Sequence, residues 1–269
     1  MKQNTPSKLN INKTQEKLQT EWLGQSIFFT HLVRSTNDWA KKLAELGANE
    51  GTVTIAETQT SGRGRIGRTW ISPIGGLYFS VILRPKLKPA ETIKLVFVAS
   101  LAIVDALKQL HGLKAKTKWP NDVLIDGRKV CGILSEMKTN GEQVKYAVLG
   151  IGINANFDVE KVLPEQLREN ATSLAKELGT KVDLNELLKA TLEKLESVYD
   201  LFLEKGFAPV LSKWKQSASF LGKQVEVRNE DEKLRGSAVD VDESGSLILR
   251  LNDGVMKHVF IGDVSLHVE

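Results

Sequence analysis

The sequence predicts an α+β protein, in which a larger part built from helices and strands is followed by a small C-terminal β-barrel. Helical and strand-like segments are both present before residue 220, whereas only short β-runs follow Leu221-Gly222-Lys223. The chain has 269 residues, of which 41% are hydrophobic and 26% charged, as in an ordinary soluble globular protein. This length accommodates one large domain and one small one.

The elements before residue 160 are predicted from periodicity and turn residues. A short helix within the first 26 residues docks through Trp22-Leu23. Ser35-Thr36-Asn37-Asp38 begins a helix, the apolar stretch 93–110 is a core helix, and Thr139-Asn140-Gly141 is a hairpin turn. In chain order, these elements are a helix at 39–46, strands at 52–57 and 77–83, a helix at 93–110, and strands at 114–119, 129–138 and 144–153.

The remaining elements are two helices and then four β-runs. Asp183-Leu184-Asn185-Glu186 resembles a capping box and opens an amphipathic helix that extends to about residue 203, and a second helix covers 207–215. Asp242-Glu243-Ser244-Gly245 and Asn252-Asp253-Gly254 supply turns in the tail. The β-runs are predicted at 224–228, 234–241, 246–251 and 258–261.

The apolar runs and the cysteine content predict a cytoplasmic protein without a membrane span. Residues 1–14 are polar and lack the apolar core of a signal peptide. The longest apolar run, 95–104, is too short to cross a bilayer. The single cysteine, Cys131, rules out intramolecular disulfides and fits a reducing compartment.

The net charge of +4 hides an asymmetry along the chain. Residues 60–130 contain thirteen lysines and arginines against four acidic residues, so this segment carries +9 and the rest of the chain carries −5. Such a field attracts an anionic ligand, either a nucleotide or a nucleic acid. The four histidines lack metal-ligand spacing, so the sequence predicts no metal site built from protein ligands alone.

The loop 62–68 is the most informative stretch and is predicted to hold an anion. Its three glycines let backbone N–H groups approach a ligand, and Arg63, Arg65 and Arg68 add fixed charge with forked donors. Gly62-x-Gly64-x-x-Gly67 does not fit the dinucleotide fingerprint, because no acidic residue lies about 20 positions further on. Arg68 stands where a P-loop needs lysine, and no long helix can follow the loop.

Four other segments carry polar or charged residues where an element begins or ends. They are Ser35-Thr36-Asn37, Lys118-Trp119-Pro120-Asn121-Asp122, Arg128-Lys129-Val130-Cys131-Gly132-Ile133-Leu134-Ser135-Glu136 and Gly150-Ile151-Gly152-Ile153-Asn154. Asp122 can meet a metal or an amine, and Lys129 is well placed to meet an anion. Gly150 and Gly152 have no side chains, so another group is expected to pack closely against their strand.

Together these segments closely resemble the biotin protein ligases. Gln59, Ala171-Thr172-Ser173-Leu174 and Leu221-Gly222-Lys223 also match, so the resemblance extends from about residue 27 to the end. It implies an enzyme that converts biotin and ATP, with Mg²⁺, to biotinyl-5′-AMP and pyrophosphate. The biotinyl group then passes to a lysine of a biotin carboxyl carrier protein.

The resemblance also implies a domain organisation. A polar lead at 1–26 would precede a catalytic domain at 27–220 and an SH3-like domain at 221–269. The catalytic domain would contain a mixed β-sheet with flanking helices, of the class II aminoacyl-tRNA synthetase and biotin/lipoate ligase type. The lead is too short for the winged helix-turn-helix of bifunctional members, so a ligase that is not a repressor is expected.

Individual roles follow from the same resemblance, with Lys129, Arg65 and Asp122 as the expected catalytic residues. Lys129 would bridge the biotin carboxylate and the α-phosphate, while Asn121 and Asp122 would position Mg²⁺-ATP or the incoming amine. The residues expected around biotin are Ser35, Thr36, Asn37, Gln59, Arg63, Gly64, Arg65, Lys129 and Gly132. Those expected around the nucleotide are Arg65, Arg68, Trp70, Asn121, Lys129 and Asn154.

Two other functions compete with this interpretation. A lipoate ligase has a related fold and similar adenylation chemistry, but the glycine-arginine loop and the Lys118 to Asp122 motif fit biotin ligases better. A nucleic-acid-binding module would need aromatic residues interleaved with its charges, and few lie in the basic segment. We therefore expect no specific DNA and no membrane among the partners, whereas the resemblance leaves homodimer formation open.

Overall fold

A seven-stranded mixed sheet forms the centre of the protein, whose computed structural model describes residues 9–228, 232–260 and 262–266. Its strands are β1 (Ile27–Val33), β2 (Val53–Gln59), β3 (Leu77–Leu83), β4 (Lys116–Lys118), β5 (Asp122–Ile125), β6 (Arg128–Asn140) and β7 (Gln143–Ile153). They run across the sheet in the order β1-β2-β3-β7-β6-β5-β4. β1 and β2 are parallel and the other neighbouring pairs are antiparallel, which confirms the expected mixed sheet.

Helices cover both faces of this sheet. They are α1 (Ile11–Lys17), α2 (Thr36–Glu45), α3 (Lys94–His111), α4 (Val159–Val162), α5 (Glu165–Arg168), α6 (Leu174–Leu178), α7 (Leu184–Lys205) and α8 (Phe207–Ser217), with a 3-10 helix at Pro89–Ile93. Val81 packs in the main core with α3, whereas its neighbour Ile82 packs with Ala40 and Ala44 of α2. Because successive strand residues point to opposite faces, α3 and α2 lie on opposite sides of the sheet.

A second, five-stranded antiparallel sheet follows α8. Its strands are β8 (Gln224–Arg228), β9 (Lys233–Val241), β10 (Leu247–Leu251), β11 (Met256–Val259) and β12 (Asp263–Leu266), in the order β11-β10-β9-β8-β12. Val225 and Leu247 join the main hydrophobic core, and Trp119 Nε1 donates a hydrogen bond to the carbonyl oxygen of Gly245 over 2.9 Å. The predicted all-β tail is therefore a small antiparallel sheet docked on the larger part.

The segment before β1 is anchored on α7 by a buried carboxylate. Glu196 accepts hydrogen bonds from the backbone N–H groups of Glu21, Trp22 and Leu23, over 2.8, 3.0 and 2.8 Å. A buried carboxylate satisfied by several donors fixes the path of the chain into β1. The predicted docking at Trp22-Leu23 is confirmed, since Leu23 is fully buried, although both residues follow α1 instead of belonging to it.

Several elements lie outside the predicted set, namely β1, β5, β12, the 3-10 helix at Pro89–Ile93 and the short helices α4, α5 and α6. Asp126-Gly127 joins β5 to β6 with positive φ angles of 46° and 77°, and an Asp-Gly pair of this kind is a hairpin signal. The β-run predicted at 258–261 is displaced, because β11 begins at residue 256, and residue 261 lies outside the described residues. None of the helices within the described ranges is long and apolar enough to span a membrane.

Candidate active site

A cleft of about 270 Å³ lies among the 62–70 loop, the start of α2 and the strands β6 and β7. All the residues predicted for the site line it: Ser35, Thr36, Asn37, Gln59, Arg63, Gly64, Arg65, Arg68, Trp70, Asn121, Asp122, Lys129, Gly132 and Asn154. The fold thus brings widely separated segments to one place. The roles assigned to the individual residues stay predictions.

The 62–70 loop is a tight, hydrogen-bonded turn. The backbone N–H of Gly64 donates to the carbonyl oxygen of Arg68 over 2.7 Å, and that of Trp70 donates to Gly62 over 2.9 Å. A Cβ atom on Gly62 would lie 2.3 Å from the Trp70 carbonyl oxygen, so only glycine permits this approach. The glycines therefore fold the loop tightly while the arginine side chains project from it.

The Trp70 indole packs directly on two glycines of the sheet. A Cβ atom on Gly132 would lie 2.8 Å from Trp70 Cζ3, and one on Gly152 would lie 2.4 Å from Trp70 Nε1. This contact explains the side-chain-free positions that the sequence places on these strands. Trp70 Nε1 is buried against Gly152 and has no hydrogen-bond partner among the described residues.

Lys129 is held in the cleft by both its side chain and its backbone. Its Nζ lies 2.6 Å from Asp122 Oδ1 and 5.3 Å from the centre of the Trp70 ring. Its backbone N–H donates to Asn170 over 2.8 Å, and its carbonyl oxygen accepts from the N–H of Thr172 over 2.9 Å. A cation fixed in this way needs little reorganisation when it meets an anion.

A set of buried and half-buried amides and hydroxyls forms a polar pocket within the cleft. Gln59 Oε1 accepts from the backbone N–H of Thr36 over 2.9 Å, and Gln59 Nε2 donates to Ser72 Oγ over 2.8 Å. Ser80 Oγ donates to Asn37 Oδ1 over 2.6 Å. Ser72 and Ser80 belong to no local motif, so the sequence did not predict them. Their bonds fix the orientation of both amides, as recognition of a donor and acceptor pattern requires.

Arg65 and Arg68 connect the loop to the second sheet. Arg65 Nη1 donates to Asn121 Oδ1 over 3.3 Å and to the carbonyl oxygen of Gly262 over 3.2 Å, while Arg68 Nη1 lies 2.5 Å from Asp263 Oδ2. Burial lowers the pKa of the Arg65 guanidinium and Asp263 opposes this shift, so the group stays charged. The sequence did not predict Asp263. It directly follows Gly262, which is 197 residues from Arg65 in the chain.

Arg63 has a different environment from the other two loop arginines. Its Nη1 donates to Asp38 Oδ2 over 2.8 Å, and its Nη2 donates to Glu136 Oε2 over 2.9 Å. The sequence predicts that this guanidinium contacts the ligand anion. That contact stays a prediction, because two protein carboxylates hold the group here.

Asn121 and Asn154 form hydrogen bonds to the protein backbone. Asn121 Nδ2 donates to the carbonyl oxygen of Ile133 over 2.8 Å, and Asn154 Nδ2 donates to that of Thr172 over 2.9 Å. Both asparagines are buried. These bonds hold together the segments around Lys129. A direct contact of the Asn121 or Asn154 side chain with a nucleotide stays a prediction.

Leu163 and Leu167 add an apolar wall that the sequence analysis did not find. Leu163 directly follows α4 and Leu167 lies in α5, and helices this short show no amphipathic periodicity. With Trp70 they give the cleft apolar surface suited to a planar ring.

Comparison with known proteins places the chain in a family. The sequence profile of the biotin/lipoate A/B protein ligase family matches residues 29–154, and that of the biotin protein ligase C-terminal domain matches residues 220–267. The chain is 36% identical over 221 residues to the biotin–[acetyl-CoA-carboxylase] ligase of Paracoccus denitrificans, covering 80% of this chain and 90% of that protein. This chain belongs to the biotin protein ligase family.

Other members of the biotin protein ligase family are similar over more of the chain. The bifunctional ligase/repressor BirA of Bacillus subtilis is 35% identical, with 97% of this chain and 80% of that protein covered. The biotin protein ligase from Aquifex aeolicus, solved in complex with biotin and ATP, is 31% identical with a TM-score of 0.77. The structural match covers 91% of this chain and 100% of the Aquifex chain.

Proposed function

We propose that this protein is an ATP-dependent biotin protein ligase, which activates biotin as biotinyl-5′-AMP and transfers it to a lysine of a biotin carboxyl carrier protein. The observation that carries the proposal is Lys129, whose ammonium is held by Asp122 in a cleft also lined by the arginine loop. A fixed cation, a polar pocket and an apolar wall in one cleft suit the joining of a carboxylate to a nucleotide.

In the first step, a carboxylate oxygen of biotin attacks the α-phosphorus of ATP, and the bond to the pyrophosphate oxygen breaks. Both reactants are anions, so the step needs fixed positive charge more than a protein nucleophile. Lys129 and Arg65 supply that charge in a partly buried site, where it is screened less than in water. The loop that carries Arg65 would also exclude water, which hydrolyses the mixed anhydride.

The polar pocket suits the ureido head of biotin, which presents both N–H donors and a carbonyl acceptor. Ser35, Thr36 and Asn37 stand at the start of α2, and all three are buried. With Gln59 they provide hydroxyl and amide groups whose orientations the surrounding bonds fix. A neutral set of donors and acceptors recognises a neutral ring without the desolvation cost of a charge.

The nucleotide would lie against Trp70 and the Leu163 and Leu167 wall. These side chains provide apolar surface for the adenine ring. Arg68, which is largely exposed, is placed to reach the phosphates once it leaves Asp263.

Asp122 is the carboxylate that fits Mg²⁺. No group of three His, Cys, Asp or Glu residues in the described part of the chain could hold a metal by itself. Mg²⁺ commonly binds through one or two carboxylates together with substrate phosphates, so Asp122 would suffice if ATP brings the ion. The ion would neutralise charge on the phosphates.

In the second step, the neutral lysine amine of the carrier attacks the carbonyl carbon of the anhydride, the bond to the phosphate oxygen of AMP breaks, and the amine loses a proton to solvent. Asn121 and Asp122 would position the incoming amine in this step, as the alternative to positioning Mg²⁺-ATP. Three further expectations stay predictions. They are the absence of specific DNA binding, the cytoplasmic location and whether the protein forms a homodimer.

The proposal is tested by pyrophosphate release from Mg²⁺-ATP with biotin, with lipoate and with neither acid. We expect pyrophosphate release with biotin only. An added biotin carboxyl carrier protein should then become labelled with biotin. Release with lipoate and none with biotin would make this chain a lipoate ligase, the other activity that its family profile covers.

Gly152→Ala is expected to raise the KM for ATP at least about tenfold while the KM for biotin changes much less. The added Cβ would lie 2.4 Å from Trp70 Nε1, so the indole must move away from the sheet and the nucleotide wall is displaced. Initial rates at varied ATP and at varied biotin measure the two constants. Gly141→Ala is the control, because its φ of 61° strains the backbone of a turn outside the cleft while nothing lies within 4 Å of the added Cβ, so both KM values should match wild type. Equal KM values for ATP in Gly152→Ala and wild type would contradict the nucleotide assignment of Trp70.

A further inference from the structure

Glu136 on β6 binds side chains from two other segments, the 62–70 loop and α2. Its carboxylate accepts from Arg63 of the loop over 2.9 Å, from Asn37 Nδ2 over 2.7 Å and from Lys41 Nζ over 2.5 Å. Partial burial favours the neutral acid, but the bonds from Lys41, Asn37 and Arg63 outweigh it and lower the pKa of Glu136. The group is therefore a carboxylate in the folded protein.

Asn37 connects this carboxylate to the floor of the cleft. Its Nδ2 is bound to Glu136, its Oδ1 accepts from Ser80 over 2.6 Å, and a Cβ atom on Gly150 would lie only 2.1 Å from that oxygen. The amide is thus pressed onto the sheet, and Glu136, together with the Leu134 carbonyl oxygen at 3.4 Å, accepts from the end that faces β6. A carboxylate accepts only, so it selects the NH₂ end.

Arg63 connects the same carboxylate to the loop. Asp38 holds the other side of the guanidinium, with Nη1 to Oδ2 at 2.8 Å and Nη2 to Oδ1 at 2.7 Å. Arg63 is thereby the one loop arginine whose partners in the described structure lie on α2 and β6, whereas Arg65 and Arg68 face the second sheet. The loop is fastened at both ends by different elements.

We propose that Glu136 is a positioning residue for the ligase reaction, which fastens the 62–70 loop through Arg63 and orients Asn37 in the biotin pocket. The biotin part of this proposal rests on the proposed function. The loop part does not, because the ion pair exists in the protein alone. Loss of the carboxylate should loosen the loop and the pocket together.

Glu136→Gln keeps the shape of the side chain and removes its charge. Hydrogen bonds to charged groups stabilise more than neutral ones, so we expect hydrogen exchange of the 62–70 amides in the ligand-free protein to speed up about tenfold. Biotinyl-AMP should dissociate about tenfold faster and the KM for biotin should rise similarly. The KM for ATP should rise less, because Arg65 and Arg68 of the same loop keep their own partners at Gly262 and Asp263. Rapid-dilution kinetics and initial rates measure these values.

The experiment compares Glu136→Gln, Arg63→Gln and the double variant, with Glu45→Gln as the matched control. Glu45 also accepts from several donors, Lys145, Tyr146 and Lys138, but it lies outside the cleft, and its variant should match wild type. If Glu136 acts through Arg63, the double variant should exchange its loop no faster than Arg63→Gln alone.

Additive effects on loop exchange, or loop exchange at the wild-type rate in Glu136→Gln, would overturn the proposal. Exchange of the α3 amides at the wild-type rate checks that each variant is folded. The two proposals fail separately. Wild-type protein that releases no pyrophosphate with biotin would refute the proposed function, while the exchange measurements would still decide whether Glu136 fastens the loop.

Discussion

Lys129→Ala is expected to slow biotinyl-AMP formation by a factor on the order of 10²–10³ while the protein stays folded. In the structure the Lys129 ammonium lies 2.6 Å from Asp122, and the backbone of Lys129 is hydrogen-bonded through both its N–H and its carbonyl oxygen. The ammonium can therefore meet the biotin carboxylate and the α-phosphate without rearrangement. Its interaction strengthens as charge builds up between the two anions, which affects the rate more than substrate binding. Single-turnover pyrophosphate release with saturating biotin and ATP measures the effect.

Two further variants separate the charge from its position. Lys138 also lies in β6, but it pairs with Glu45 outside the cleft. We therefore expect Lys138→Ala to form biotinyl-AMP at the wild-type rate. Lys129→Arg keeps the charge but replaces a compact ammonium with a planar fork, so an intermediate rate is expected. Pyrophosphate release by Lys129→Ala at a near-normal rate would remove this residue from the mechanism.

Arg65→Gly is expected to form biotinyl-AMP but to release it at least about tenfold faster than wild type, so that unrelated proteins become labelled on their lysines. The Arg65 side chain is mostly buried and ties the loop to Asn121 and to the carbonyl oxygen of Gly262. Its removal detaches the loop from two separate segments, and an additional glycine raises the entropy cost of closing the loop. The intermediate then escapes before the carrier lysine arrives.

The measurement is dissociation of preformed biotinyl-AMP from both proteins, together with labelling of a bystander protein. Arg34→Gly is the control, because Arg34 is an exposed arginine that does not line the cleft. Specificity for the carrier should fall more than adenylation does. Equal dissociation rates without bystander labelling would show that the 62–70 loop is not the lid of this site.

The sequence by itself determined the features that depend on local chemistry. The spacing of glycines and arginines between residues 62 and 68 predicted an anion-binding loop, and the structure shows why glycine is required at Gly62. The apolar stretch that became α3 predicted a core helix, since burial all round requires apolar residues all round. The family also followed from the sequence, because its motifs are short, ordered and separately recognisable.

The tertiary structure alone decided which groups share the cleft and with which partners. Arg63 meets Glu136 across 73 residues, and Arg65 meets Gly262 across 197. No periodicity or turn signal spans such distances, so Asp263, Ser80 and the Leu163 wall could not be predicted. Local patterns determine how a segment folds, whereas the pairing of distant charges depends on strand order and on how the second sheet docks, which long-range packing determines.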